Sequence, residues 1–246
     1  MAGPSVADRV AALLAAFDVE HSAMTLSDLA RRAVLPLTTT HRLARELSRT
    51  GLLERDEDGH YRIGLRLWEI ATSASRAVDL REAALPFLQD LYEATHENVQ
   101  LAVLDGTEAV YLERIAGRES VHVVTRVGGR LPVHATGVGL VLLAHAPVEV
   151  QDRVLAGSLA RYTRHTVTDP RRLRRILADV RRDGFAVSDR QIETISASVA
   201  APVRDRTGRV VAAVSLVYPA RENAQRHVTA VRATARGISR RLPVLA

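Results

Sequence analysis

The stretch Thr25 to Gly64, TLSDLARRAVLPLTTTHRLARELSRTGLLERDEDGHYRIG, constrains the fold more than any other part of the chain. Leu26, Leu29, Ala30 and Ala33 recur at helical spacing and predict one apolar helix face. Thr25 precedes them as an N-cap, with Asp28 at the capping-box position, because a hydroxyl there accepts an amide that the first turn leaves free. Val34-Leu35-Pro36 ends the pattern, since a proline drives the residue before it out of helical geometry. A second helix is predicted from about Leu37, with Leu37, Leu43 and Leu47 inward and Thr38, Thr39, His41, Arg42 and Arg45 on the other face. Gly51 fits its C-terminal cap. Leu52 to Arg55 and His60 to Ile63 then read as two strands. They join through Asp56-Glu57-Asp58-Gly59, and Asp-Gly is a strong hairpin signal.

That order of elements is a winged helix-turn-helix. One α-helix fits a major groove while a second, packed across it, rests on the backbone. Thr38, Thr39 and Thr40 stand at the N-terminal end of the second helix, where side chains and free amides meet phosphates or base edges. His41, Arg42 and Arg45 follow as candidate base or phosphate contacts, and His60 and Arg62 on the wing as candidate groove or backbone contacts. A helical hairpin with a solvated arginine face is the competing reading, and the wing beside the helix-turn-helix favours DNA.

At 246 residues the length suggests two domains, and the chain contains no cysteine for a disulfide or thiolate site. Asp8 and Arg9 interrupt the apolar N-terminal segment, which does not read as a signal peptide. The apolar run Gly137 to Ala146 falls far short of the ~20 residues that span a bilayer, so a cytoplasmic location without membrane contact is expected. All the basic residues counted in the net charge of +6 are arginines. Residues 1–78 hold 10 arginines and 10 acids, so the whole excess lies beyond them. The case for DNA therefore rests on where Arg31, Arg32, Arg42, Arg45 and Arg49 cluster and not on bulk charge. Ser5 to Phe17, with Val6, Val10, Leu13, Leu14 and Phe17 at helical spacing, supplies a first helix that completes the small N-terminal core.

Three segments follow: 1–64 as the DNA-binding domain, 65–79 as a linker helix, and 80–246 as a second domain. Leu65, Leu67, Trp68, Ile70 and Ala71 make the linker too apolar for a solvated spacer; it either meets a second copy or closes a joint within one chain. A long helix is expected from Leu80 to His96. Val99 to Leu104 and Ala109 to Ile115 form a hairpin, Val121 to Val127 a third strand, and Thr136 to Ala146 a helix. Pro170 to Arg182 is another helix. Phe185 to Val187, Ser198 to Val203 and Val210 to Val217 close the sheet, and Ala220 to Arg241 is a last helix. The fold class is α+β with an antiparallel-rich sheet in the second domain.

With these residues in view the chain resembles the IclR family of bacterial transcriptional regulators. The likeness lies in Leu35-Pro36, Thr38 to Leu43, the Gly51 to Gly64 wing, Leu101 to Gly106, Pro132 to Gly137 and Ala200-Ala201-Pro202-Val203. The resemblance implies a winged-helix domain joined by a helix to a GAF-like effector-binding domain. It implies a homodimer or homotetramer on a palindromic operator, more often a repressor than an activator. Its effector would be a small organic acid or an aromatic metabolite. By position it points to Gly137, Val138, Asp189 and Ser198 as effector-binding residues. Gly137 near a helix N-terminus suits a carboxylate. This chain departs from the family where Ile195 replaces a usual glycine, Ser188 an acid, Ser198 a cysteine and Val138 a smaller residue.

An enzyme is the rival class. There is no Gly-x-Ser-x-Gly elbow, and Gly137-Val138-Gly139 lacks the third glycine of a dinucleotide fold. No cofactor is expected. His134 reads as a hydrogen-bonded structural histidine, and a zinc site from His122, His134 and a carboxylate stays open. A nucleotide- or protein-binding second domain is a further alternative, suggested by the arginine-rich helices Pro170 to Arg182 and Ala220 to Arg241; such runs are usually solvated faces.

Overall fold

The computed structural model describes residues 3–18, 20–73, 75–117, 120–121 and 123–242, with backbone only at 75 and 76. The chain forms two compact units, residues 1–75 and 76–246. The first contains α1 (Val6–Ala15), β1 (Ala23–Met24), α2 (Leu26–Ala33), α3 (Leu37–Arg49), β2 (Leu53–Arg55), β3 (Tyr61–Ile63) and α4 (Leu65–Thr72). Ser5 and Asp8 form a reciprocal capping box on α1, and the Thr25 hydroxyl accepts the Asp28 amide of α2 at 3.2 Å. Val34, at φ 54°, caps the far end of α2 in left-handed geometry. Gly51 (φ 76°) ends α3 as predicted. Its amide donates to Ser48 O at 3.1 Å and the next amide, Leu52, to Leu47 O at 2.9 Å, the paired bonds of a Schellman turn.

The wing is a three-stranded sheet, β1-β3-β2, not the two-stranded ribbon expected. Ala23–Met24 is too short to display alternation in sequence. The core joins Leu13, Met24, Leu29, Leu43, Leu47, Leu53 and Tyr61. Two placements differ from expectation. Leu37 is 52 % exposed, and Thr40 occupies the inward position instead, fully buried. The predicted linker helix 65–79 is two helices, α4 and then α5 (Ser75–Thr95).

The second unit continues from α5 through β4 (Asn98–Asp105), β5 (Glu108–Ile115), β6 (Arg130–Pro132), α6 (Gly137–Ala144), α7 (Val148–Ala156), α8 (Pro170–Asp183), β7 (Ala186–Asp189), β8 (Ser196–Arg204), β9 (Val210–Pro219) and α9 (Gln225–Arg241). Its six strands run in the order β6-β5-β4-β9-β8-β7, each antiparallel to its neighbours. Large residues such as Val199, Val214 and Leu216 meet α5 and α9 on one face. On the other face Ala102, Ala109, Ala186, Ala200 and Ala213 lie under α6 and α8. Small side chains let α6 approach closely, and all eight of its residues are buried. A Cβ on Gly139 would come within 3 Å of Val133 Cα and its carbonyl oxygen, so only glycine fits.

Val121 to Val127, expected as a strand, carries no strand among the described residues. Side chains hold it instead: Asn98 Nδ2 donates to Val121 O at 2.8 Å, and Gln100 Nε2 to Thr125 Oγ1 at 2.6 Å. The third strand is β6, which starts two residues after Gly128, a turn residue at φ 76°. Helix α7 went unpredicted; its single apolar stripe buries only Val154 and Leu155.

Candidate nucleic-acid interface and ligand recess

Helix α3 follows Pro36 as its N-cap residue, which offers no side-chain cap. The first-turn amides therefore stay free for an external acceptor, unlike those of α1 and α2. Leu37, Thr38, His41, Arg42 and Arg45 are exposed along one side of this helix and Thr39 is half-buried. Of the five clustered arginines, Arg31 pairs with Asp28, Arg32 with Asp18 and Arg49 with Glu46. Among the described residues Arg42 and Arg45 make no ion pair, so both keep an uncompensated guanidinium on the exposed face. On the wing, Arg62 pairs with Asp56 at 3.1 Å and the His60 amide donates to the same carboxylate at 2.8 Å. These bonds hold Asp56 below the usual carboxylate range, the His60 amide contributing most. Thr40 is a correction: its hydroxyl donates to Pro36 O at 3.1 Å inside the core, so it braces the helix start and faces no phosphate.

The second unit holds a small, half-open recess of about 50 Å³ between the N-terminus of α6, the sheet and the segments around Thr125 and Gln191. Its floor is a polar row crossing four strands: Gln100 on β4, Ser215 on β9, Ser198 on β8 and Ser188 on β7. Gln100 stands opposite Ser215, and Ser188 opposite Ser198. The walls are apolar, including Tyr111, Val123, Leu131, Val138 and Val217. Thr136 caps α6, accepting the Gly139 amide at 3.1 Å. The Gly137 and Val138 amides remain as first-turn donors beside the recess. Among the described residues no arginine or histidine lines it, and Glu193 is the one carboxylate. Burial pushes the Tyr111 phenol far above its ordinary value, so that group stays a neutral hydroxyl. An anion here is met by hydroxyls, amides and the helix dipole.

Three of the four residues implied by resemblance, Gly137, Val138 and Ser198, line this recess. A Cβ on Gly137 would fall within 2.6 Å of Ser198 Oγ, which fixes how closely the helix start sits over β8. Asp189 is the correction. Strand alternation turns Ser188 inward and Asp189 outward, where it pairs with Arg190 at 2.9 Å. Ser188 takes the inward place, donating to Ala135 O at 2.8 Å. Gln100, Thr125 and Ser215 were missed by sequence reasoning; Gln100 and Ser215 carry a readable signal, polar residues interrupting the apolar runs of β4 and β9. His134 is buried with Nε2 at 3.0 Å from Ala160 O, while His122 lies outside the described residues. The wing-turn residues Asp56, Asp58 and His60 bring ligand-type atoms within 4.8 Å of one another, but the hydrogen bonds to Asp56 already account for that grouping.

Two family profiles match the chain. One, described as the IclR helix-turn-helix domain, covers residues 6–57, and the other, the bacterial transcriptional regulator IclR C-terminal domain, covers residues 72–240. The transcriptional repressor AllR of Klebsiella pneumoniae is 32% identical over 96% of this chain and 89% of its own. The regulator XynR of Escherichia coli is 32% identical over 85% of this chain and 84% of its own. A crystal structure of an IclR homolog from Microbacterium hydrocarbonoxydans, complexed with 4-hydroxybenzoate, is 43% identical, with a TM-score of 0.92 over 97% of this chain and 99% of that one.

Proposed function

The chain belongs to the IclR family of bacterial transcriptional regulators, and we propose that it is a repressor whose dimer grips a palindromic operator until a small carboxylate enters the recess. It is a helix-turn-helix regulator with a C-terminal effector-binding domain, and not an enzyme. Among the described residues no helix is long and apolar enough to cross a membrane. Its place of work is the cytoplasm, beside the chromosome. Residues 1–64 read the DNA, 65–79 connect, and 80–246 sense the effector and assemble the homodimer or homotetramer.

The observation that carries this reading is the exposed edge of α3: an uncapped N-terminus followed by two unpaired arginines at i, i+3. Arg42 reads a base edge and Arg45, with Thr38, Thr39 and His41, contacts phosphates and neighbouring bases; His60 and Arg62 touch the backbone from the wing. The effector's carboxylate lies at the Gly137 and Val138 amides, beside Ser198 and Ser188. A relative bound to 4-hydroxybenzoate supports a ring-bearing acid as the effector.

Selection of bound fragments from genomic DNA, followed by anisotropy titration of an enriched fragment, tests the reading. Short palindromes should be enriched, and benzoate or 4-hydroxybenzoate should release them. Gly137→Leu should abolish release while DNA binding persists, because its side chain must enter the space of Ser198. Absence of any enriched palindrome retires the operator model, and release that survives Gly137→Leu retires the pocket assignment.

A further inference from the structure

Gln100 stands 98 % out of solvent in the middle of the sheet, where an apolar residue would serve packing better. Its amide is incompletely used. The Nε2 group donates to Thr125 Oγ1 at 2.6 Å, but among the described residues Oε1 receives only the long 3.4 Å contact from Ser215 Oγ. Thr125, itself 9 % exposed, accepts that bond and has no acceptor for its own hydroxyl proton among the described residues. The pair therefore offers one open acceptor and one open donor, side by side, at the wall of the recess. A ligand group that both donates and accepts here makes two directional hydrogen bonds in a site largely closed to solvent.

The complement of one acceptor beside one donor is a hydroxyl, which gives one hydrogen bond and takes one. An ether only accepts, a carboxylate meets Gln100 Oε1 with like polarity, and an ammonium cannot accept from Thr125. Position adds a second constraint. The start of α6 sits over Ser198 on β8, while Gln100 is on β4, and β9 lies between. Two strand spacings separate those anchor points by roughly 10 Å. One six-membered ring with a substituent at each end spans that interval once hydrogen bonds of about 2.8 Å are added at both ends. Val138, Val217, Leu131 and the Tyr111 ring supply the flat apolar walls such a ring needs.

We propose that Gln100, acting with Thr125, determines effector specificity by binding a hydroxyl carried across a ring from the carboxylate. The effector class is thus the hydroxylated aromatic monocarboxylates. This rests on the reading of the α6 end as the carboxylate site. Removing the reader should cost the hydroxyl preference and leave the ring and carboxylate contacts intact.

Calorimetric titration of the full chain with benzoate, 4-hydroxybenzoate and 4-methoxybenzoate tests it. The native protein should bind 4-hydroxybenzoate roughly tenfold more tightly than either of the others, the size expected of one buried hydrogen-bonding group. Gln100→Leu should bring the three affinities to within about twofold while benzoate binding is kept, and Thr125→Val should act in the same direction. Should Gln100→Leu fail to fold, Gln100→Asn and Thr125→Val carry the test, each losing preference without losing benzoate. Equal native affinities, or a preference untouched by these variants, overturn the proposal while the carboxylate site stands. No binding of any of the three acids overturns both.

Discussion

Arg42 and Val34 are separated by one turn of chain and show how differently two exposed residues bear on function. Arg42 has no partner among the described residues, so its guanidinium is available for a bidentate base contact. Arg42→Ala should weaken specific operator binding by about 1–3 kcal/mol and relax discrimination at one base pair, with the melting temperature unchanged. Titration against the operator and a single-base variant decides it: an unchanged specific affinity assigns Arg42 no such role. Val34 is 87 % exposed and held at φ 54°. A left-handed L-residue costs roughly 1–2 kcal/mol, and a β-branched one lies at the upper end. No packing offsets that. Val34→Gly should stabilise the N-terminal unit by about 1 kcal/mol. A lower denaturation midpoint in that variant would mean that the valine serves the turn in some other way. Neither the φ value nor the uncompensated charge is visible in sequence, because both depend on what fails to pack nearby. Thr40 was misplaced by its polar type and Asp189 by position in the family resemblance, and the helix and strand periods decided otherwise.

Among the elements, α6 links the two ends of the second unit. Its N-terminus faces the recess, and its C-terminus is held by Arg181, which donates to Ala144 O at 3.0 Å, and by His145. His145 Nδ1 donates to Val141 O at 3.0 Å, which leaves Nε2 to accept from Arg204 Nη2 at 3.1 Å. That arrangement requires a neutral ring. Burial first, then the charges of Arg204 and Arg181, lowers its pKa below 6.5, against the opposing Val141 bond. The unfolded chain takes up the proton near the ordinary value and the folded chain only at lower pH. Stability is therefore full above about pH 7 and declines as pH falls through 6.5. Melting curves from pH 8 to 5 should show this loss, and His145→Gln should flatten it. Superimposable pH profiles for the two proteins would show that His145 is not the titrating group. The periodic elements α2, α3, α8 and the β4-β5 hairpin were legible because spacing, caps and Asp-Gly or Pro signals agreed. The two-residue β1, the narrow stripe of α7 and the side-chain-pinned segment 121–127 were not, since each depends on partners distant in sequence.

For the whole molecule, the division into a DNA-reading unit and a sensing unit was legible because each segment carries its own apolar periodicity. What covers α4 was not. This helix has eight residues, no side-chain cap, and none of its side chains is buried among the described residues. A helix this short does not persist on propensity alone. It is anchored at its start, where the Leu65 amide donates to Glu54 Oε1 at 3.0 Å, but Leu65, Trp68 and Ile70 are 63 %, 63 % and 55 % exposed. An aromatic side chain buries roughly 150–250 Å², at about 25 cal/mol per Å² of apolar surface, so Trp68 alone can supply several kcal/mol to a contact. The proposed twofold operator would demand two reading heads at fixed separation, and pairing α4 with a second copy would deliver that symmetry. Trp68→Glu should then convert the dimer to a monomer at micromolar concentration. Operator binding should fall steeply, because two half-sites are no longer read together. Binding of benzoate should remain, since the recess lies wholly in residues 76–246. Sedimentation equilibrium with and without DNA separates the possibilities. A Trp68→Glu protein that stays dimeric places the dimer contact elsewhere, and a monomer that still holds the palindrome with native affinity removes the need for that contact altogether.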